Sequence, residues 1–513
     1  MTANYSDDNK SDIINILSNI TTKKLELSEP SDIWGFLEAP INIIKDEEFY
    51  RDNIDSFISK FDDIVLIGTG GSSLGARCLV EIYSHNASVS FHYANSSNEH
   101  SLLELQKKIY LPKTGFIVSS KSGNTTEVIA LFEYFYRELR NKYSFNIPGD
   151  HFIAITESGS ILDSKSIEYD FNTIIHTDPS LIGRYSVFSP FGTCLAYLAG
   201  ISLDNISIGA MSCLESVHKS KSENQVLELT KFIFDAFESG KDKLVLIHSE
   251  SLYTFALWIE QLIAESLGKN AKGIIPVIKE DTYNFEYICE DSIFIILKDN
   301  DLNEYELKNE YDYMNFTINN HTELSFEMMK WQLATVALGT LMNVNPFDQP
   351  QVEMSKNFTR ELMEGSYVSN IKNFSSDCIY ELVELIKSTD YVCILNYLNQ
   401  TPEIINLLNS ISETVSNELG VHCIVSNAPA YLHSTGQLHK GGPNTGVFIQ
   451  FFNNKLQSNI WIPDKGYTFS KLFNAQADGD LAALIDLGRR VCRVDVSSDP
   501  IWELEKIRTI ISN

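Results

Sequence analysis

Two hydroxyl- and glycine-rich turns carry residue types suited to holding an anion. In "DIVLIGTGGSSLGARCLVEIY" an apolar run ends at Gly68 and turns through Gly70, Gly71, Ser72 and Ser73 into a helix opening near Gly75. Glycine allows a close backbone approach to a ligand, and a helix N-terminus offers unpaired N–H groups. In "GFIVSSKSGNTTEV" a second apolar run leads to Ser119, Ser120, Ser122, Thr125 and Thr126 around Lys121 and Gly123. One hydroxyl would cap a helix; five can satisfy the several acceptor oxygens of a phosphate monoester. A dinucleotide is the rival ligand, but "GTGGSS" has Ser73 where the third glycine of G-x-G-x-x-G would stand. No acid follows at the ribose-binding offset before Glu99, so the spacing disfavours NAD.

Four further segments hold reactive or charged groups. Arg184 in "SLIGRYSVFSPFG" lies among apolar and aromatic residues, where a guanidinium needs an anionic partner. The periodic "YTFALWIEQLIAESLGK" carries Glu260 and Glu265; Glu265 sits near the helix C-terminus, whose dipole favours the protonated acid. In "NPFDQPQVEMSK" a helix starting after Pro346 sets Gln349 and Lys356 seven residues apart, two turns along one face. Finally, "YLHSTGQLHKGGPNTG" crowds His433, His439, Lys440 and four glycines together, which reads as a ligand-binding loop. The two histidines have neither helical one-face spacing nor an acidic or cysteine partner, so no metal site is expected.

The elements that must position these groups follow an α/β pattern. Apolar runs at 63–68, 115–120, 151–156, 243–249, 272–278, 291–297, 390–398, 422–429 and 445–452 read as buried strands of parallel sheets flanked by helices. Helices are expected over 253–269 and 325–344. The organisation predicted is an N-terminal helical extension (1–50), then units at 51–220, 225–370 and 375–513. Boundaries fall in the polar stretches "HKSKSENQ" and "SNIKNFSSD". The chain of 513 residues carries 40 Lys+Arg against 68 Asp+Glu, a net charge of −28. That surface repels nucleic acid and anionic lipid. Eight scattered cysteines (78, 194, 213, 289, 378, 393, 423, 492) form no C-x-x-C pair and read as reduced thiols. With no signal peptide and no apolar stretch of membrane-spanning length, a cytoplasmic protein is expected.

Taken in order, "GTGGSSLG", "SSKSGNTTE", "IGRYSVFSPFG", "AESLGK" and "NPFDQPQVEMSK" resemble the motifs of the glucose-6-phosphate isomerase family, whose fold pairs two sugar-isomerase (SIS) type α/β subdomains. The C-terminal "YLHSTGQLHKGGPNTGVFIQF" is similar to the isomerase half of transaldolase–isomerase fusions. The resemblance implies two SIS-type subdomains plus a C-terminal α/β unit, and glucose 6-phosphate–fructose 6-phosphate interconversion in glycolysis and gluconeogenesis without a metal or redox cofactor. It also implies a homodimer. Ser120, Lys121, Ser122 and Thr125 would hold the phosphate; Gly71, Ser72 and Gln349 would meet the sugar. Glu265 would be the base, Arg184 the stabiliser of the enediolate, and Lys356 a ring-opening aid. The family's Gly-Gly-Arg is altered here, with Ile182 at the first glycine. For the ring-opening histidine, His439 is preferred on loop chemistry over His321 or His433. The alternatives weighed are a non-catalytic sugar-phosphate regulator, an isomerase also accepting mannose 6-phosphate, and phosphosugar amide transfer. A regulator has no need of Glu265 or Lys356, and a transferase would want an N-terminal nucleophilic cysteine, whereas the first is Cys78.

Overall fold

The structure, a computed structural model, describes residues 8–25, 33–83, 89–143, 145–218, 224–280, 289–299, 311–365, 378–455 and 459–512. The expected unit boundaries near 220 and 370 lie outside the described residues, as does the side chain of Cys378.

Three parallel sheets form the framework. The first contains β1 (Asp63–Gly68), β2 (Ser90–Ala94), β3 (Thr114–Ser119), β4 (Phe152–Thr156) and β5 (Thr173–His176), in the order β2-β1-β3-β4-β5. The second contains β6 (Lys243–His248), β7 (Ile275–Glu280), β8 (Ser292–Lys298) and β9 (Tyr313–Thr317), ordered β7-β6-β8-β9. The third contains β10 (Tyr391–Tyr397), β11 (His422–Asn427), β12 (Gly446–Phe452) and β13 (Arg490–Asp495), ordered β11-β10-β12-β13. Each chain path thus starts inside its sheet, adds one neighbour, then crosses to the other side. This repeated reversal opens a crevice beside the first strand at the carboxyl edge, the place where such sheets bind ligands.

The expected α/β class and every sequence-assigned strand are present, within a few residues. Four strands went unassigned: β2, β5, β9 and β13. All four are sheet edges with mixed burial, as in "SFHYA" and "YMNFT". An edge strand faces solvent along one side and loses the continuous apolar signature of a central one. The central β3 and β6, by contrast, are buried along their whole length.

The N-terminal helices are part of the core rather than an appendage. Helix Asp8–Thr21 sinks Ile13, Leu17 and Ile20 into it, a four–three spacing that makes one apolar stripe. Helix Gly35–Asn53 adds Phe36, Ile43 and Tyr50, and the same cluster continues through Tyr185, Trp258 and Trp331. Helix Pro350–Glu364, expected to belong to the second unit, leans on helix Phe469–Asp486 and helix Gly436–Gly441 of the third.

Close helix contacts depend on missing side chains. At Gly209 an added methyl would meet the Thr322 carbonyl oxygen at 2.1 Å, so helices Leu203–Ser216 and His321–Leu341 could not keep their spacing. Gly209→Ala is expected to cost about 1–3 kcal/mol by overpacking, read as a lowered denaturant midpoint. An unchanged midpoint would show that the two helices separate freely.

Candidate active site

Four elements converge on the crevice beside β1. After β1, the short turn Gly70–Ser72 holds Gly70 at φ +53°, and Gly71 presses so closely on the next wall that a methyl would lie 2.1 Å from the Gly183 carbonyl carbon. This contact, with Ser186 Oγ donating to Gly71 O at 3.3 Å, seats the turn Gly183–Tyr185 that presents Arg184. Ile182, which replaces the family's first glycine, has φ −101° and ψ 137°. That extended backbone suits any residue, so the Gly-to-Ile departure leaves the arginine turn unstrained.

Arg184 and Glu265 are both buried, with Nη1 and Oε2 3.7 Å apart. The guanidinium is fixed on its other sides. Nε donates to Ser266 Oγ at 2.8 Å, Nη1 to Gln349 Oε1 at 3.1 Å, and Nη2 to the carbonyls of Pro346 (2.7 Å) and Asp348 (3.0 Å). Arg184, Glu265 and Gln349, predicted from three separate segments, are therefore brought together. Burial pushes the Glu265 carboxyl up; Arg184, a hydrogen bond from Gln261 Nε2 at 3.1 Å, His433 and Lys269 oppose the rise. Helix Tyr253–Leu267 supplies the acid because its flank is apolar nearly throughout, with Trp258, Leu262 and Ala264 buried.

The second turn is partly as expected. Ser120 is buried, its Oγ lies 3.2 Å from Thr125 Oγ1, and it accepts from Gly123 N at 3.2 Å. Ser119 Oγ donates to Ser72 O at 2.5 Å, tying the two turns together. Ser122 is exposed and donates to Asn124 Oδ1, and Lys121 pairs with Glu157 at 3.2 Å and donates to Pro179 O at 3.1 Å. Neither set of bonds involves Ser120 or Thr125.

Two expectations need correction. The "QLHKGG" stretch is not an open loop but helix Gly436–Gly441, plugged into the core. His439 is buried there between Tyr431 and Phe448, with Nε2 3.7 Å from Cys393 Sγ. Burial, then Lys440 and Arg489, hold its imidazole well below the usual range, as befits a neutral core residue. His433, weighed only as an alternative, is the one that reaches the site. Its carbonyl accepts from Gln261 Nε2 at 3.0 Å, and its Nε2 lies 2.9 Å from Glu127 Oε1. His321, the other alternative, is the first residue of helix His321–Leu341, which Asn320 caps. Lys356 is likewise not bonded into the cluster: it is nearly half exposed and paired with Glu353 at 2.7 Å.

Two groups were missed. Lys269, one turn past Glu265 in the same "AESLGK" motif, is buried and donates to Asn345 O and Asp348 O (both 2.6 Å) and to Asp348 Oδ1 (2.7 Å). Burial and then Arg184 bring its ammonium down to about 8. Glu127 closes the "SSKSGNTTE" motif in the first turn of helix Thr126–Lys142. Burial works against its charge, yet His433 and hydrogen bonds including one from Gln476 pull its carboxyl down to about 2. In each case the signal was present: the last letter of a motif already in hand.

Among the described residues no group of His, Cys, Asp or Glu could hold a metal ion, and no helix is long and apolar enough to cross a membrane. Three parallel sheets with the crevice so furnished define an α/β protein of SIS type. Residues 55–284 match the phosphoglucose isomerase family model. A glucose-6-phosphate isomerase of Clostridium tetani is 28% identical over 386 residues, covering 64% of this chain and 86% of that one. One from Methanocaldococcus jannaschii is 24% identical over 409 residues, covering 70% and 95%. Among solved structures, a glucose-6-phosphate isomerase of Chlamydia trachomatis superposes with TM-score 0.54 at 18% identity, over 68% of this chain and 78% of that chain.

Glu260 differs from Glu265 in that nothing charged offsets its environment. With Tyr253, Lys279 and Ser426 it lines the cleft that Gly70, Ser73 and His433 also border, and burial alone pushes its carboxyl from the ordinary 4.5 up to about 8. The folded protein therefore keeps a proton that the unfolded chain releases, so this group's share of stability falls as pH climbs from about 4.5 to about 8. Glu260→Gln, which stays neutral, should raise the melting temperature relative to wild type at pH 8 and not at pH 4.5. A difference independent of pH would show an ordinary, solvated carboxyl.

Proposed function

We propose that this chain interconverts glucose 6-phosphate and fructose 6-phosphate through a cis-enediol, with Glu265 carrying the proton between C2 and C1. The observation that supports it most is the buried Glu265 held 3.7 Å from a fully anchored Arg184. A carboxyl raised by burial is basic enough to take a carbon-bound proton yet ionised by its cationic neighbour. As the proton leaves C2, negative charge gathers on the sugar oxygens, and Arg184 stabilises it without having to reorganise. Ser120 and Thr125 grip the phosphate, with Lys121 and Ser122 turning inward only when it binds. Gly71 and Ser72 line the sugar, and Gln349 orients it from beside Arg184.

The ring must open before the proton moves. His433 takes this role in place of His439, since Glu127 fixes one ring nitrogen and leaves the other for the sugar. Lys269 supplies the buried cation beside the carboxylate, where Lys356 is 47% exposed. The reading is cytoplasmic and glycolytic, in keeping with seven free cysteines, six of them buried, among the described residues. A homodimer is part of the proposal from the resemblance; the groups named above all come from one chain. A non-catalytic regulator would gain nothing from burying Glu265 against Arg184 at a cost in desolvation.

Purified protein given fructose 6-phosphate should yield glucose 6-phosphate, detected by a coupled dehydrogenase. Glu265→Gln should lower kcat by about 10²–10⁴-fold while phosphosugar binding persists. Near-full turnover in that variant would remove Glu265 as the base. His433→Ala should slow the cyclic substrate by about tenfold or more, whereas His439→Phe should leave the chemistry intact in whatever protein folds. The reverse pattern would restore His439.

A further inference from the structure

The third α/β unit has no share in the reaction as described so far, apart from the turn that bears His433. Helix Phe469–Asp486 of that unit nonetheless sends two buried polar side chains, Gln476 and Asp480, toward the site. They lie four residues apart, one turn along the same face.

Gln476 stands behind Glu127. Its Nε2 donates to Glu127 Oε1 at 2.6 Å, and its own Oε1 accepts from Ser97 Oγ at 2.5 Å. The amide is thereby oriented by the chain segment after β2, which leaves no ambiguity about which end faces the carboxylate. Asp480 holds the two ends of the segment that carries His433 without touching His433 itself. Its Oδ2 accepts from Tyr431 Oη at 2.5 Å, and its Oδ1 pairs with Lys440 Nζ at 2.5 Å and lies 3.4 Å from Ser355 Oγ. Tyr397 Oη adds a contact to Tyr431 Oη at 3.1 Å. Tyr431 and Lys440 bracket the segment that contains His433, and Ser355 belongs to the helix that begins beside Gln349.

We propose that Gln476 and Asp480 are positioning residues that set the His433–Glu127 pair, Gln476 from the carboxylate side and Asp480 from the histidine side. The inference rests on the isomerase reading above. Two partners on separate units must meet at 2.9 Å, and one helix face holds both. A buried ion pair is a costly way to add stability; its use here is to fix one geometry of the segment 431–440. The third unit then acts as the jig for ring opening, and it does so within one chain.

The test compares Gln476→Leu with the double variant Lys440→Met/Asp480→Asn, since Asp480→Asn alone would leave Lys440 charged and buried. Each is assayed for kcat and KM on glucose 6-phosphate and for inhibition by a five-carbon aldonohydroxamate phosphate, an open-chain mimic of the enediolate. The expected result is a kcat lower by about tenfold or more with KM and the inhibition constant within about twofold of wild type. A misplaced acid slows ring opening but leaves the open-chain pocket intact. A kcat within about twofold of wild type overturns the inference. Parallel loss of kcat and inhibitor affinity also overturns it, as the sign of general structural support. An inactive wild-type chain is a different failure: it removes the isomerase reading itself, and this inference with it.

Discussion

A guanidinium and a carboxylate share one dry pocket, and much of the architecture is arranged to make that tolerable. Removing either charge from water costs several kcal/mol, and attraction between them offsets this only when the remaining donors and acceptors are satisfied. Arg184 meets that condition with Ser266, Gln349 and the carbonyls of Pro346 and Asp348. Those partners come from the end of the Glu265 helix and from the segment that enters helix Pro350–Glu364. The arginine therefore locks together the first unit, the second unit and the connection to the third. Lys269, bonded to Asn345 and Asp348, fixes the same connection from below.

The repeated sheet topology explains why one crevice, rather than three, is furnished in this way. Each sheet reverses its strand order beside its first strand, so each has a crevice at its carboxyl edge. In the first sheet that edge carries the two anion turns, joined by the bond from Ser119 to Ser72. In the second, the following helix turns its acid Glu265 toward the first unit instead of toward its own sheet. In the third, the turn after β11 is used to deliver His433 outward. Three similar frameworks are thus spent on one site, each contributing a different part of it.

Much of this could be read from residues alone, and the failures have physical causes. Buried central strands and the Glu265 helix announce themselves because burial on all sides requires unbroken apolar sequence. The edge strands β2, β5, β9 and β13 do not, since their residues are of mixed, mostly partial burial. Arg184 was legible because a guanidinium in apolar company needs partners, while Glu265 and Gln349 came from helix position, spacing and the motif resemblance. The histidine was misread for the opposite reason. Glycines and polar letters in "GQLHKGG" suggested an open loop, but Gly441 and Gly442 are there because backbone packs against Gln437 and Leu438 without room for a side chain. Composition could not distinguish a loop that binds from a short helix that packs.

The 3.7 Å gap between Arg184 and Glu265 is itself informative. A close bidentate bridge would hold the acid firmly ionised and depress its basicity. A carboxyl with no cation nearby would stay protonated, as Glu260 does with its pKa near 8. The base proposed here, which would accept a proton from carbon and then give it back, needs neither extreme. By committing its nearer donors to Ser266, Pro346 and Asp348, the guanidinium is held off from full contact with Glu265. On the proposed mechanism, that restraint lets the carboxylate both take up the proton and return it. It also leaves the arginine available to the oxygen on which the charge next appears.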